Sequence, residues 1–140
     1  MTTISLTVSF EFCASHRLFR PDLSDDANRE LYGKCSNPNG HGHNYTLEVR
    51  VSGPLDGRVG MVVDAGKIKS LVEREILVDV DHKDLNRDTP WLEGKVPTTE
   101  VVAQCMYERL ATSLREISQT SVLDSITLHE TRRISVTVSR

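Results

Sequence analysis

The chain has 140 residues, of which 38% are hydrophobic and 26% charged, and its formal net charge is -3 at pH 7. This balance is typical of a soluble globular protein, and the length predicts one domain over residues 1–140. The charge gives no basic field that would favour nucleic acid, and no apolar run is long enough to cross a membrane.

The N-terminal residues and the cysteines indicate in which cellular compartment the protein is expected. Residues 1–5 lack the basic and apolar regions of a signal peptide, so we expect none. The three cysteines are an odd number without Cys-x-x-Cys spacing. A disulfide framework is therefore not expected, and we predict a cytoplasmic protein.

The first part of the chain predicts two strands joined by a long connection. Residues 2–12 and 43–52 each alternate apolar and polar side chains, which indicates strands buried on one face. Residues 20–42 have no periodicity and are rich in Gly, Pro, Asp and Asn, so we expect an irregular segment of the kind that often carries function. After a turn at 53–57, residues 59–63 predict a short strand.

Two helices are predicted in the middle of the chain. Asp64 is a candidate N-cap for a first helix, with apolar residues at helical spacing over 68–76. Residues 79–97 have no regular pattern. Thr98 or Thr99 can cap a second helix that carries an apolar stripe.

Two final strands, over residues 122–130 and 133–139, complete the pattern. Strands at both ends of a chain with helices between them favour an α+β fold, in which an antiparallel β-sheet carries two helices on one face. The edges of such a sheet must be covered or paired, so we expect copies of the chain to associate through strand edges.

Three histidines form a candidate metal site. His41 and His43 open the second strand, and residues i and i+2 of a strand point to the same face. His16 follows the first strand, so an antiparallel hairpin would place it beside them. Three neutral nitrogen ligands suit zinc, and the lack of an evident fourth ligand favours an open, catalytic site. Spacing alone also allows three unrelated polar residues at strand ends.

Other polar residues could supply acid–base chemistry. Cys35 lies in a polar, Gly-flanked segment and could serve as a base or a nucleophile, although an idle surface thiol is equally compatible. Asp81 and His82 could form an acid/base pair, but adjacent side chains rarely face each other. Glu130 could accept two N–H groups from a guanidine-like ring edge. Glu100 suits the first turn of a helix without any further role.

Five segments together resemble the motif series of the 6-pyruvoyl-tetrahydropterin synthase family. The resemblance covers nearly the whole chain in the right order, and its most specific part is Cys-x5-His-x-His. The matching segments are Ala-Ser-His-Arg at 14–17, Gly-Lys-Cys to His-Asn-Tyr at 33–45, Asp-His-Lys-Asp-Leu-Asn at 81–86, Pro-Thr-Thr-Glu at 97–100 and His-Glu-Thr at 129–131.

The resemblance implies a fold and an assembly. It implies the tunnelling fold, in which trimers close a twelve-stranded β-barrel and two trimers stack into a homo-hexamer. It also implies one zinc ion per subunit, held by His16, His41 and His43. The sites of this family form between subunits, so the residues of one site need not converge within one chain.

The same resemblance implies roles for the remaining residues. It implies that Cys35 is the base, with Asp81 and His82 as the partner acid/base pair. It implies that Glu130 anchors the guanidine-like edge of the pterin. It also places three residues near the pterin ring, namely Thr98, Thr99 and Glu100.

The implied reaction converts 7,8-dihydroneopterin triphosphate to 6-pyruvoyl-tetrahydropterin and eliminates triphosphate, as in tetrahydrobiopterin biosynthesis. Magnesium could accompany the triphosphate. A related branch, the 6-carboxy-tetrahydropterin synthases of queuosine biosynthesis, uses the same substrate and also releases acetaldehyde. That branch typically has three residues between the cysteine and His-x-His, whereas this chain has five, residues 36–40. The spacing favours the pyruvoyl product.

Two other classes of function are compatible with parts of the pattern. A non-enzymatic pterin- or metal-binding module would need neither Cys35 nor the pair of Asp81 and His82. A zinc hydrolase would need a base beside the metal, and Glu11 is the acidic residue nearest to His16 in sequence. Release of triphosphate by the purified protein separates the synthase from the binding module, and Glu11, on an alternating strand, need not face the metal as a hydrolase would require.

Overall fold

The computed structural model describes residues 2–140 and shows an α+β fold. Its five strands are β1 (Ile4–His16), β2 (His41–Gly53), β3 (Lys83–Asp84), β4 (Val122–His129) and β5 (Ser135–Ser139). Its α-helices are α1 (Asp25–Tyr32), α2 (Ala65–Val72), α3 (Val78–Val80) and α4 (Thr99–Ser113). A π-helical turn, Glu73–Leu77, joins α2 to α3.

One five-stranded sheet has the order β3-β1-β2-β4-β5. The four long strands are antiparallel neighbours, as the sequence predicts, and β1 pairs with β2 along its whole length. The short strand β3 runs parallel to β1 and pairs only with Ala14 and Ser15. The sheet is therefore mixed rather than purely antiparallel, and it stays open within one chain.

Alternate side chains of the strands form the core against the helices. The strand residues of this core include Phe10, Phe12, Leu47, Val51, Ile126 and Leu128. The helices contribute Ile68, Val72, Ile76, Val102, Met106 and Leu110. Because side chains alternate along a strand, the histidines at the ends of β1 and β2 continue the same buried rows.

Side-chain caps fix where the two longer helices begin. Asp64 accepts a hydrogen bond from the Gly66 N–H at 2.8 Å, which confirms the predicted N-cap of α2. Of the two candidate caps of α4, Thr98 is the one observed, and it accepts from the Val101 N–H at 3.2 Å. The helical segment that starts with α2 extends to Val80, two residues into the stretch predicted as irregular.

The structure corrects three predictions about local structure. Residues 20–42 are not wholly irregular, because they contain α1 and a 3-10 turn, Gly33–Ser36. The predicted strand over 59–63 is wrong, since that segment forms only an isolated bridge between Asp56 and Met61. The first strand continues past residue 12 to His16, so this histidine ends β1 rather than following it.

The helix α1 escaped detection because it has almost no apolar face. Its single buried residue is Asn28, which is 1% exposed. The Asn28 side chain accepts from the Arg20 N–H and donates to the carbonyls of Arg20, Leu23 and Ser24. Polar bonds rather than hydrophobic burial therefore hold this helix against the preceding loop.

Within residues 2–140, no helix combines the length and the apolar character that a membrane crossing requires.

Candidate metal centre and active site

Three histidines converge where the hairpin of β1 and β2 opens. His16 is the register partner of His41, and Ala14 is the partner of His43, so the three rings lie on the same face of the sheet. The ring centroids of His16 and His41 are 4.6 Å apart, and those of His41 and His43 are 4.9 Å apart. One potential ligand atom from each residue lies within 4.8 Å of the others. The cluster could hold a metal ion.

Hydrogen bonding leaves two nitrogens of this cluster free for a ligand. His16 Nδ1 donates to the carbonyl oxygen of Pro97 at 2.8 Å, so Nε2 carries the lone pair. The Nε2 atoms of His16 and His43 are buried and have no hydrogen-bond partner among residues 2–140. Unpaired buried polar atoms are costly, and a metal ion would satisfy both.

The electrostatics of the cluster favour neutral rings. Burial is the main cause that lowers the pKa of His16, which is 2% exposed. Burial and the neighbouring His43 lower the pKa of His41. Neutral imidazoles are the form that binds a divalent ion, so the donor set fits zinc.

Glu130 lies at the same cluster. Its Oε1 is 3.5 Å from His43 Nε2 and 3.6 Å from His16 Nε2, and its side chain is 18% exposed. Its backbone N–H donates to the Ile134 carbonyl at 3.0 Å, which anchors the residue at the turn between β4 and β5. Sequence reasoning found no fourth group beside the histidines, and the structure places a carboxylate there.

Asp81 and His82 contact each other directly, which corrects the expectation for adjacent residues. The Asp81 Oδ1 atom accepts from His82 Nδ1 at 2.9 Å and from the Cys13 N–H at 3.1 Å. This is possible because His82 has a left-handed backbone, with φ of 59°. The Cys13 N–H first, and His82 second, lower the pKa of Asp81, which therefore stays ionised at neutral pH.

The pair lies beside Cys13 at the edge of β1 that does not pair with β2. The His82 N–H donates to the Cys13 carbonyl at 2.6 Å, and the Cys13 side chain points away from the buried face. The imidazole of His82 is 80% exposed. Its Nε2 atom is therefore accessible to a group outside this chain.

Cys35 is a half-buried, free thiol in the 3-10 turn after α1. Its carbonyl accepts from the Leu18 N–H at 2.8 Å, which ties the turn to the end of β1. Its sulfur forms no hydrogen bond within residues 2–140. Within the described chain, Cys35 is therefore not hydrogen-bonded to Asp81 or His82.

The segment before α4 is linked to the histidines through Pro97. Thr98 caps the helix, Thr99 is buried at 5% exposure, and Glu100 is exposed in the first turn. The bond from His16 to the Pro97 carbonyl brings this segment close to the cluster, and none of the three side chains forms a hydrogen bond to a histidine ring.

Sequence reasoning missed two groups of the site. The Pro97 carbonyl has no side-chain signature, so nothing in the sequence marks it. Tyr45 continues the same face as His41 and His43, and its ring lies edge-on to His43 at 5.6 Å. Its hydroxyl is buried without a partner in the part of the chain that the structure describes, and burial raises its pKa.

A cationic cavity of about 510 Å³ lies beside the turn that carries Cys35. Three positive side chains, Arg17, Arg29 and Lys34, and one carboxylate, Asp25, line it. The Arg17 guanidinium stacks on Phe19 at 3.9 Å and donates from Nε to the Ser36 carbonyl, so it is held in place. The excess of positive charge suits an anionic group.

Comparisons with known proteins agree with this arrangement. A family model described as 6-pyruvoyl tetrahydropterin synthase matches residues 5–140. A 6-pyruvoyl tetrahydrobiopterin synthase of Pongo abelii is 43% identical over 120 residues, which cover 86% of this chain and 80% of that protein. A 6-carboxy-5,6,7,8-tetrahydropterin synthase of Bacillus subtilis is 31% identical over 106 residues, which cover 74% of this chain and 68% of that protein.

A solved structure extends the agreement to the fold. The 6-pyruvoyl tetrahydropterin synthase of Caenorhabditis elegans superposes with a TM-score of 0.88 at 36% identity, over 100% of this chain and 97% of that one. This match confirms the α+β tunnelling fold expected from the sequence. By its fold and by the match over residues 5–140, the chain belongs to the 6-pyruvoyl tetrahydropterin synthase family.

Proposed function

We propose that the protein is a cytoplasmic, single-domain lyase that converts 7,8-dihydroneopterin triphosphate to 6-pyruvoyl-tetrahydropterin and triphosphate. The observation that carries the proposal is the histidine cluster. Two of its Nε2 atoms, those of His16 and His43, are buried and have no hydrogen-bond partner within the described residues. In a chain of this family, such a cluster supports metal-assisted chemistry on a pterin side chain.

His16, His41 and His43 hold one zinc ion per subunit in this proposal. When bound, zinc supplies a Lewis acid that orients the side-chain oxygens and acidifies the neighbouring C–H bonds. The bond from His16 Nδ1 to Pro97 fixes the tautomer that presents Nε2. Magnesium, if present, accompanies the triphosphate.

Cys35, Asp81 and His82 move the protons. The Cys35 thiolate removes a proton from a side-chain carbon, and His82 exchanges a proton through Nε2. Asp81 accepts a hydrogen bond from His82 Nδ1, so it holds the imidazole in one tautomer and stabilises its charged form. The triphosphate leaves with the electron pair of its C–O bond.

Substrate recognition uses the two ends of the molecule. The pterin ring binds near Glu130, whose carboxylate accepts the guanidine-like N–H groups, and near Thr98, Thr99 and Glu100. The cavity lined by Arg17, Arg29 and Lys34 has the charge to receive the triphosphate. Its position beside the Cys35 turn supports this assignment.

The active protein in this proposal is a homo-hexamer built as a dimer of trimers. β3 pairs with only two residues of β1, and β5 pairs on one side only, so both edges of the sheet can take a further strand. β1 and β5 run in opposite directions, so copies can join edge to edge as a continuous antiparallel barrel. The lack of a hydrogen bond between Cys35 and either Asp81 or His82 within the described chain supports a site shared between subunits.

The alternative product, 6-carboxy-tetrahydropterin with acetaldehyde, is disfavoured by two observations. Five residues separate Cys35 from His41, against the three that are typical of that branch. The chain is 43% identical to a pyruvoyl-type relative and 31% identical to a carboxy-type relative.

Product analysis tests the proposal. The purified, zinc-loaded protein is incubated with 7,8-dihydroneopterin triphosphate, and the products are identified by mass spectrometry. We expect triphosphate and a pyruvoyl pterin, and neither product after removal of zinc by a chelator. A carboxy pterin with acetaldehyde would replace this proposal by the alternative. Zinc binding without any release of triphosphate would indicate a binding module.

A further inference from the structure

Unpaired buried polar atoms are concentrated at the histidine cluster. Among residues 2–140, four buried side-chain nitrogen or oxygen atoms have no hydrogen-bond partner. Three of them are His16 Nε2, His43 Nε2 and Tyr45 Oη. The fourth belongs to Ser121, which packs against Gly53 at the other end of β2. Because leaving such atoms unpaired is costly, their concentration in one place indicates that a ligand satisfies them.

Tyr45 is placed at this cluster by the alternation of side chains along β2. It follows His43 on the same buried face, and its ring is stacked on the Phe12 ring with the centroids 4.8 Å apart. The Tyr45 ring lies edge-on to His43 at 5.6 Å and to His16 at 6.3 Å. Tyr45 is only 1% exposed, so close packing holds its hydroxyl in one place.

The three unpaired atoms need two different kinds of partner. The histidine nitrogens can each offer a lone pair, and one metal ion can take both. A phenol keeps its proton at neutral pH, so the Tyr45 hydroxyl is a hydrogen-bond donor and needs an acceptor atom. A metal ion cannot accept a hydrogen bond. The cluster therefore lacks an acceptor atom as well as a metal.

Glu130 is an acceptor at the same cluster, but it does not serve this hydroxyl. Thr46 lies opposite His129 in the pairing of β2 with β4, so Tyr45 and Glu130 are the next residues along the two strands. Glu130 Oε1 lies 3.5 Å from His43 Nε2, yet the Tyr45 hydroxyl forms no hydrogen bond to it. In the proposed function this carboxylate accepts the N–H groups of the pterin ring. The hydroxyl is then left for another part of the substrate.

We propose that the Tyr45 hydroxyl donates a hydrogen bond to an oxygen of the substrate side chain. This inference rests on the proposed function, from which it takes the pterin substrate and the role of the histidines. Tyr45 adjoins both Glu130, which anchors the ring in that proposal, and His43, which belongs to the metal set. The side chain of the substrate has to connect the same two places. The hydrogen bond transfers no proton, and it holds the side chain in one orientation for the reaction.

Two pterins test this assignment in the full-length, zinc-loaded protein. 7,8-Dihydrobiopterin has the ring and a dihydroxypropyl side chain, whereas 7,8-dihydropterin has the ring alone. We expect Tyr45→Phe to bind 7,8-dihydrobiopterin about three- to tenfold more weakly, the usual effect of losing one hydrogen bond between neutral groups. Its zinc content and its affinity for 7,8-dihydropterin should not change. Isothermal titration calorimetry measures both dissociation constants.

Tyr107→Phe is the matched control, because the Tyr107 hydroxyl on α4 already donates to the Leu123 carbonyl at 3.2 Å. This variant should bind both pterins as the wild type does. The two variants should also differ in the stability of the metal-free protein. Tyr107→Phe loses a hydrogen bond and should unfold at a lower urea concentration, whereas Tyr45→Phe loses none and should keep the wild-type midpoint.

Three results would overturn the inference. Unchanged binding of both pterins by Tyr45→Phe would show that the hydroxyl does not contact the ligand. Equal weakening for both pterins would place the hydroxyl at the ring rather than at the side chain. A urea midpoint lowered as much as in Tyr107→Phe would show that the hydroxyl has a structural partner.

The outcomes separate this inference from the proposed function. A wild type that binds zinc and releases triphosphate, combined with unchanged binding of both pterins in Tyr45→Phe, refutes only the role of Tyr45. A selective loss of 7,8-dihydrobiopterin binding in Tyr45→Phe, combined with a wild type that releases no triphosphate, refutes only the reaction.

Discussion

His16 Nδ1 donates to the carbonyl oxygen of Pro97 at 2.8 Å, and this bond joins the end of β1 to the segment that begins α4. The contact spans 81 residues of sequence and is buried. It orients the most buried imidazole of the cluster, because it leaves Nε2 as the only free nitrogen of that ring.

Replacing His16 should therefore remove the metal. We expect His16→Ala to retain less than a tenth of the wild-type zinc, measured by elemental analysis after dialysis, because a buried ligand is lost and the Pro97 carbonyl loses its donor. His129→Ala is the matched control, since His129 pairs with Glu48 away from the cluster. Full zinc content in His16→Ala would contradict the assignment.

Cys35 should affect turnover without affecting the metal. We expect Cys35→Ser to lower kcat by about 100- to 10,000-fold, the usual contribution of a positioned acid or base, with unchanged zinc content. Cys105→Ala, on α4, should keep the wild-type rate. The rate of triphosphate release, measured for both variants, tests the role of Cys35. A fully active Cys35→Ser would show that another group transfers the proton.

The lowered pKa of Asp81 predicts an acid dependence of stability. A carboxyl whose pKa in the folded state lies below its ordinary value of 3.8 stabilises the fold above that value. This stabilisation is lost as the pH falls through the folded pKa, so the window lies below about pH 4. We expect Asp81→Asn to flatten the decline in the free energy of unfolding between pH 4 and the acid limit.

Urea unfolding at neutral pH and at several values below pH 4 measures this effect. Asp88→Asn, an exposed carboxylate in the next turn, serves as a comparison. An equally steep decline in Asp81→Asn and in the wild type would refute the prediction.

The cationic cavity predicts a selective change in substrate affinity. Lys34→Gln should raise KM for the triphosphate substrate by about tenfold, since a hydrogen bond to a charged group is worth roughly 1.5–3 kcal/mol. Inhibition by inorganic triphosphate should weaken in parallel, whereas binding of 7,8-dihydropterin should not change. Lys69→Gln, on α2, is the control. Equal effects on both ligands would place Lys34 outside the phosphate site.

Asn28 should matter for stability although it is polar. Asn28→Ala leaves the Arg20 N–H without its acceptor and removes the side-chain donor to the carbonyls of Arg20, Leu23 and Ser24, so we expect a loss of about 1–3 kcal/mol in the free energy of unfolding. Denaturant titration compares it with Asn39→Ala, which is exposed. A change as small as that of the control would show that α1 is held by other contacts.

Much of the fold was predictable because apolar residues recur with the period of the strand or helix whose face they bury. The alternation along β1 and β2 follows from one buried face, and the hairpin between them follows from their order. The cap at Asp64 has a local chemical cause and was found. The helix α1 was missed because its one buried residue is Asn28, and hydrophobic patterning cannot detect a polar anchor.

The site was predictable where side-chain type carries the chemistry. The spacing of His41 and His43, with His16 on the partner strand, predicted the cluster. The contribution of the Pro97 carbonyl was not predictable, since any residue has one. The approach of Glu130 depends on a turn whose geometry no sequence pattern specifies.

The left-handed backbone of His82 carries a consequence for how this position can vary. A residue other than glycine pays about 1–2 kcal/mol for that conformation, so glycine would relieve the local backbone. The imidazole at this position thus opposes the stability of the fold, a cost that fits its proposed role in proton transfer. Selection for thermal stability alone would therefore favour glycine at residue 82. Glycine has no imidazole, so the proposed proton transfer through this position would be lost.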